Sequence, residues 1–273
     1  MKIAVIPNEE KQGARQIAEE VAKKLRLKGA DVLAPQVLDN ATVMPERELF
    51  SAADIIITVG GDGTIIRYAK DAAIHKKPVL GINAGRLGFL ADLEKENIDL
   101  LDKLIEGDYS VTQRFMLKAR VYSGEKLLAE GLALNDAVIA PGGIARLLDL
   151  EVQISSDTIG YRSDGIIVST PTGSTAYSMS AGGPIIDPKV RCFAITPICS
   201  HSLTARPIIA DENSQLTIRL PENSDESAIF SLDGRFCCNL DKNARIEIEK
   251  APYDALLINI SGNAIYKTLS LKF

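Results

Sequence analysis

Five consecutive residues, Gly60-Gly61-Asp62-Gly63-Thr64, join three glycines to a carboxylate where a strand is predicted to pass into a helix. Glycines let a backbone approach a ligand closely, and a helix start offers unpaired N–H groups that suit phosphate. The stretch matches neither a Walker A loop nor the GxGxxG fingerprint. A carboxylate beside phosphate is unfavourable unless it binds a metal ion or accepts a proton, so Asp62 is a candidate general base. The alternative is a tight turn in which Asp62 only caps the helix.

A second glycine-rich stretch, residues 81–90, follows the next predicted strand. Gly85 and Gly88 allow close approach, and Asn83 offers both a donor and an acceptor. Because the carboxyl ends of parallel strands lie at one edge of a sheet, this stretch is expected beside the first. A structural turn that packs Leu87, Phe89 and Leu90 into the core explains the pattern equally well.

Two further stretches carry polar groups in the second half of the chain. Asn135 and Asp136 adjoin an apolar β segment, and a carboxylate that accepts two hydroxyl hydrogen bonds suits a ribose diol; taken alone, the pair is a turn. Residues 162–165 and 169–184 bring hydroxyls together at the expected amino end of a helix, where small side chains leave room for a flat ring. A solvent loop is the alternative there, and the apolar neighbours 165–168 disfavour it.

The elements that position these stretches follow two different periodicities. Up to about Tyr109, apolar runs alternate with helical stripes, which predicts a parallel sheet covered on both faces. The predicted strands are 2–7, 31–34, 54–59 and 78–82, and the predicted helices are 14–28, 45–53, 64–73 and 97–106. From about Val111 the period becomes two, clearest at 148–155, 216–220 and 245–249, which predicts mostly antiparallel β structure.

Composition narrows the classes of protein. The chain has 273 residues, 31 basic and 36 acidic, for a net charge of −5. This balance argues against binding nucleic acid or a membrane surface through bulk positive charge. Any phosphate must therefore be bound by groups at the site itself. No charged leader and no apolar run of about 18 residues is present, which predicts a cytoplasmic protein. The four cysteines lack zinc-site spacing, and neither a zinc site nor a disulfide framework is expected.

Together these motifs resemble the NAD kinase family in order and spacing, over nearly the whole chain. The resemblance rests on 60–64, 81–83 with 87–90, 135–136, 162–165 with 170–177, and 201–203 with 205–207. It implies a Rossmann-like three-layer α/β domain at 1–109, to which 256–273 returns, and a β-sandwich-like, dinucleotide-binding domain at 110–255. Many members have Asn-Glu where this chain has Asn135-Asp136.

The resemblance also implies an activity: transfer of a phosphoryl group from ATP, or from polyphosphate in some members, to the 2′-hydroxyl of the adenosine ribose of NAD. Asp62 would be the general base, and a divalent cation, Mg²⁺ carried on ATP, would offset phosphate charge. No resident metal site is expected. The implied ligand-binding residues are Gly61, Gly63, Thr64, Arg67, Asn83, Asn135, Asp136, Arg146, Arg162, Asp164, Ser174, Thr175, Ala176, Tyr177, Ser178, Ser180 and Arg235.

Two other classes of function stay open at this stage. The first stretch is shared with lipid and sugar kinases, which would consume a lipid or a sugar phosphate rather than NAD. A non-catalytic NAD-binding sensor would keep the pocket and need no base. The family resemblance further implies a homodimer or homotetramer.

Overall fold

A computed structural model describes residues 1–85, 88–143, 147–202, 204–221, 227–262 and 265–272. The chain divides into two compact units, Met1–Gln113 with Tyr253–Phe273, and Arg114–Pro252. Among the described residues, every helix is too short or too polar to span a membrane.

The helices and strands are numbered along the chain. The helices are α1 (Ala14–Leu27), α2 (Glu46–Ala52), α3 (Asp62–Ile74), α4 (Leu101–Glu106), α5 (Tyr177–Ser180) and α6 (Ile265–Lys272), with 3-10 turns at Lys95–Leu100 and Thr172–Thr175. The strands are β1 (Lys2–Pro7), β2 (Asp31–Ala34), β3 (Thr42–Val43), β4 (Ile55–Gly60), β5 (Pro78–Asn83), β6 (Leu93–Glu94), β7 (Ser110–Arg114), β8 (Leu117–Ser123), β9 (Lys126–Ala133), β10 (Asp136–Pro141), β11 (Leu148–Ile154), β12 (Asp157–Ser163), β13 (Gly165–Ser169), β14 (Cys192–Ile198), β15 (Ile208–Asp211), β16 (Leu216–Arg219), β17 (Ala228–Leu232), β18 (Arg235–Leu240), β19 (Ala244–Lys250) and β20 (Ala255–Asn259).

The first unit is a three-layer α/β structure. Its sheet has the order β3-β2-β1-β4-β5-β20-β7, with β6 beside β5. The registers from β3 through β20 are parallel. Alternate side chains of β4 enter two cores: Ile55 and Ile57 pack on the face that buries α1, and Ile56 packs on the face that buries Phe50 of α2 and Ile65 of α3. The predicted α/β class is confirmed.

One predicted helix of this unit differs in the structure. The apolar spacing at 97–106 predicts a single α-helix, but Lys95–Leu100 is a 3-10 turn in which Asn97 has φ −109° and ψ 18°. Only Leu101–Glu106 is α-helical, and Gly107 ends it with a left-handed φ of 77°. Short 3-10 turns at helix starts keep the same apolar residues inward, so the spacing alone does not separate the two forms.

The second unit is a β-sandwich. One sheet has the order β15-β14-β13-β10-β17-β18 and the other β12-β11-β16-β19-β8-β9, and the strand pairs within both are antiparallel. A shared core takes side chains from both sheets, including Val152 and Ile246 from one and Ile166 and Ile195 from the other. Phe115 and Phe193 meet edge to face within it, with ring centroids 5.1 Å apart.

Candidate functional site

In the first unit, three loops meet at the carboxyl edge of the parallel sheet. The chain leaves β1 for β2 on one side and reaches β4 and β5 on the other, so the strand order reverses between β1 and β4. Open α/β sheets bind ligands at this kind of position. The Asn8 N–H donates to the Val59 carbonyl at 2.8 Å, and the Ala84 N–H donates to the Gly60 carbonyl at 2.7 Å. The two predicted glycine-rich stretches are therefore neighbours.

Thr64 organises the turn between β4 and α3. Its buried hydroxyl accepts a hydrogen bond from Asn8 Nδ2 at 3.2 Å and from the Gly61 N–H at 3.4 Å. A Cβ on Gly60 would lie 2.3 Å from Thr64 Oγ1, so only glycine fits at position 60. Gly61 is the helix cap, and its carbonyl accepts the Thr64 N–H at 2.9 Å, whereas Gly63 is exposed in the first turn of α3.

The Asp62 carboxylate faces the second glycine-rich loop and does not cap its own helix. Asp62 Oδ2 accepts the Phe89 N–H at 2.7 Å, and Oδ1 accepts the Leu90 N–H at 3.1 Å. A Cβ on Gly88 would lie 2.0 Å from Asp62 Oδ1, so the carboxylate occupies space that only glycine leaves. Two backbone donors thus fix the carboxylate and leave each oxygen a further acceptor position.

Asn83 and Arg67 have partners within the first unit. Asn83 is 2% exposed, and its Nδ2 donates to the Gly85 carbonyl at 2.8 Å. Asn83 Oδ1 is buried without a hydrogen-bond partner in the described residues. Arg67, on the second turn of α3, is exposed and lies 3.6 Å from Glu46 Oε1. Asn83 therefore shapes the second loop, and Arg67 retains solvent access.

In the second unit, Asp233 holds the turn that carries Asn135 and Asp136. Its carboxylate accepts the backbone N–H groups of Leu134 at 3.1 Å, Asn135 at 2.8 Å and Asp136 at 3.2 Å. Asp233 stands in the β17–β18 turn with a left-handed φ of 49°, a conformation that aspartate tolerates better than most residues. The contact joins residues nearly a hundred positions apart, so no local sequence pattern indicates it.

Asp136 is the most perturbed acid of this unit. It is 4% exposed. Burial raises the pKa of Asp136 to about 7, and the negative charge of Asp233 adds to the rise. Strongly raised pKa values of this kind are common at functional sites.

Replacing Asp233 with alanine should destabilise the protein. Asp233→Ala leaves three backbone donors without their acceptor, so we expect the free energy of unfolding to fall by about 2–3 kcal/mol. Urea denaturation measures this change. It is done at pH 6, where Asp136 is mostly protonated, so that removing Asp233 relieves little repulsion between the two carboxylates. Asp157→Ala, at an exposed position of β12, is the control. Equal stabilities for Asp233→Ala and Asp157→Ala would show that the carboxylate does not hold the turn.

The fourth predicted stretch packs directly on the Asn135 turn. The Thr170 N–H donates to the Asn135 carbonyl at 2.8 Å, and Thr170 Oγ1 donates to the Leu134 carbonyl at 2.5 Å. A Cβ on Gly173 would lie 2.1 Å from the Asn135 carbonyl oxygen. The helix expected after Gly173 is only a 3-10 turn followed by the four residues of α5. Backbone contact, rather than a helix start, brings these two stretches together.

The hydroxyls of this stretch differ in what they contact. Ser174 and Ser178 are fully buried; Ser174 Oγ donates to the Pro171 carbonyl at 2.6 Å, and Ser178 Oγ lies 3.1 Å from Thr196 Oγ1. Thr175 and Ala176 are half-buried, whereas Tyr177 and Ser180 are exposed. Ser174 and Ser178 thus brace the turn, and the other four residues present a surface to solvent.

Three other predicted residues of the second unit are exposed, and one is not described. Arg162 lies 3.9 Å from Asp149 Oδ1, and the Asp164 N–H donates to the Ile198 carbonyl at 2.9 Å. Arg235 begins β18, two residues after Asp233. Arg146 lies outside the described residues.

The described side chains do not form a metal-binding cluster. Among them, no three His, Cys, Asp or Glu residues come together as a metal-binding group. At the glycine-rich edge of the first unit, Asp62 supplies a single carboxylate. Mg²⁺ commonly binds proteins through one or two carboxylates while substrate phosphates supply other ligands. The donor set therefore fits a cation that arrives on a nucleotide.

The fold and the site are those of a nucleotide-binding protein. A glycine-rich helix start suits phosphate, and a buried carboxyl group suits hydroxyls. Residues 3–109 match the model of the ATP-NAD kinase N-terminal domain, and residues 134–260 match that of the ATP-NAD kinase C-terminal domain. A protein of Symbiobacterium thermophilum named NAD kinase is 40% identical over 99% of this chain and 98% of its own length. The chain belongs to the NAD kinase family.

Other similar proteins agree with this assignment. An NAD kinase of Ruminiclostridium cellulolyticum is 35% identical over 99% of this chain and 97% of its own. The structure of an NAD kinase from Archaeoglobus fulgidus in complex with ATP has a TM-score of 0.76 and 27% identity, and it covers 100% of this chain and 98% of that one. Yeast NADH kinase complexed with NADH shares the fold, with a TM-score of 0.84 at 24% identity over 95% of this chain and 83% of that one.

Proposed function

We propose that the protein transfers the terminal phosphoryl group of ATP to the 2′-hydroxyl of the adenosine ribose of NAD, producing NADP. Membership of the NAD kinase family supports the overall reaction. The observation that supports the mechanism is the position of the Asp62 carboxylate, which two backbone N–H groups hold at a glycine-rich helix start. A ribose hydroxyl is a poor nucleophile, and a positioned base typically contributes about 10² to 10⁴ in rate.

In this proposal each unit contributes its own residues. In the first unit, Gly61, Gly63 and the start of α3 bind donor phosphates, and Asp62 accepts the proton of the attacking hydroxyl. In the second unit, Asn135 and Asp136 hold ribose hydroxyls. Thr175, Ala176, Tyr177, Ser180, Asp164 and the arginines line the dinucleotide. Mg²⁺ bound to ATP neutralises phosphate charge when present.

Substrate screening tests this function against the alternatives. ADP release is measured with ATP and Mg²⁺ in the presence of NAD, NADH, a diacylglycerol, a sphingoid base or a sugar phosphate. NAD-dependent release supports the proposal, whereas release only with a lipid or sugar would move the protein to another kinase class. Tight NAD binding with no ADP released from ATP and no NADP formed from polyphosphate would make it a sensor.

Gly88 provides a test of how Asp62 is positioned. Gly88→Ala places a Cβ where Asp62 Oδ1 lies, so the carboxylate or the loop must shift. Because misplacement by about 1 Å can cost about 10² in rate, we expect kcat for NADP formation to fall by about that factor. A loss in Tm of a few degrees should accompany it, since the displaced carboxylate no longer accepts both the Phe89 and Leu90 N–H groups. Gly160→Ala is the control, since a Cβ there meets nothing within 4 Å. Wild-type turnover in Gly88→Ala would argue against a fixed Asp62.

Assembly and location stay predictions. The proposal includes a homodimer or homotetramer in the cytoplasm. Light scattering coupled to gel filtration measures the assembly directly, and a monomeric mass over the working concentration range would contradict it.

A further inference from the structure

Lys11 is a cation at the glycine-rich edge and lies outside the four motif stretches. It lies in the connection between β1 and α1, and its Nζ donates to the Gly60 carbonyl at 2.8 Å. A Cβ on Gly61 would lie 3.1 Å from Lys11 Nζ, and a Cβ on Gly85 would lie 3.0 Å from it. The ammonium therefore occupies the space between the two glycine-rich loops.

The charge of Lys11 is not neutralised by a described acid. No described carboxylate forms an ion pair with Lys11, and its neighbour Glu9 pairs with Arg15 at 3.5 Å. An ammonium group has three N–H donors, and the Gly60 carbonyl accepts one of them. In a chain with a net charge of −5, an unpaired, half-buried cation at this edge favours an anion.

Lys11 is only partly buried, so the residue keeps access to solvent at the carboxyl edge. A cleft of about 430 Å³ nearby is lined by Gln12, Gly13, Ala84 and Lys95 together with the acids Glu20 and Glu96, and Lys11 is not among its lining residues. We therefore expect an anionic ligand to approach the ammonium along the glycine-rich loops rather than through this cleft.

We propose that Lys11 binds the terminal phosphate of the phosphoryl donor. This inference rests on the proposed function, because it assigns a contact within the same site. Two of the ammonium N–H groups donate to phosphoryl oxygens, while the third still donates to the Gly60 carbonyl. The ammonium group and the start of α3 then both bind the triphosphate. The charge-assisted hydrogen bonds are formed with ATP and are missing with AMP.

Nucleotide binding by the full chain tests this role. Calorimetry with ATP, ADP and AMP, in the presence of Mg²⁺, compares the wild type with Lys11→Gln, Lys11→Arg and Lys23→Gln, an exposed lysine of α1 that serves as the control. We expect Lys11→Gln to weaken ATP binding at least about tenfold and AMP binding less than about twofold. Lys11→Arg should retain most of the ATP affinity, and Lys23→Gln should match the wild type.

Two results would overturn the inference. Unchanged ATP affinity in Lys11→Gln would show that the ammonium does not contact phosphate. Equal weakening of ATP and AMP, with no rescue by arginine, would show that Lys11 only holds the Gly60 carbonyl. Failure of the proposed function looks different, since the wild type would then bind ATP yet form no NADP.

Discussion

Asp62→Asn should lower kcat for NADP formation by at least about 10², while the affinity for NAD stays near that of the wild type. The amide has the shape of the carboxylate but cannot accept the proton of the attacking hydroxyl. It also turns one acceptor into a donor beside the N–H groups of Phe89 and Leu90, so a loss in Tm of a few degrees is expected. Steady-state kinetics and NAD titration measure the two effects separately.

Asp71→Asn is the matched control for this experiment. Asp71 is an exposed aspartate on the same helix, α3, and its substitution should leave kcat within about twofold of the wild type. A fall in NAD affinity without a fall in kcat would instead assign Asp62 a positioning role in substrate binding. Equal loss in both variants would show that the helix, rather than the base, is responsible.

The second large effect is the pH dependence of kcat/KM for NAD, which we attribute to Asp136. Its pKa is about 7 in the folded protein, and the ionised form offers two acceptor oxygens to the ribose hydroxyls, whereas protonation turns one of them into a donor. We therefore expect kcat/KM for NAD to rise with pH through about 7 in the wild type. In Asp136→Asn, kcat/KM should fall at least about tenfold, and this rise should disappear. A rise that persists in Asp136→Asn would assign it to another group.

Stability gives an independent measure of the same pKa. Between the ordinary aspartate pKa of 3.8 and about 7, the folded state keeps a proton that the unfolded state releases. The free energy of unfolding therefore falls as pH rises through this range, and Asp136→Asn removes the fall. The stability of the variant relative to the wild type should increase by about 2–3 kcal/mol between pH 5 and pH 8. A constant difference would contradict the raised pKa.

Much of the first unit was predictable because its elements are local and periodic. The strands at 2–7 and 31–34 have the predicted bounds, and the stretch at 60–64 lies at the predicted strand-to-helix junction. The helix begins at Asp62 rather than at Thr64, because the glycines lack the apolar spacing that marks a helix. Whether Asp62 caps the helix could not be decided from sequence, since its partners lie 27 and 28 positions away.

Lys11 and Asp233 show what the sequence could not supply. Lys11 lies in a polar connection, where a lysine that faces solvent has the same local pattern. Asp233-Gly234 is a common turn dipeptide, and its hydrogen bonds to residues 134–136 depend on the pairing of β10 with β17. Contacts made by tertiary pairing of distant segments have no local periodicity.

NADP is the product expected of this protein, and its formation can be measured directly. Purified protein is incubated with NAD, ATP and Mg²⁺, and the product is measured with a dehydrogenase that accepts only the 2′-phosphorylated dinucleotide. We expect NADP formation to require both NAD and ATP and to be nearly lost in Asp62→Asn. A folded wild-type protein that forms no NADP from either ATP or polyphosphate would contradict it.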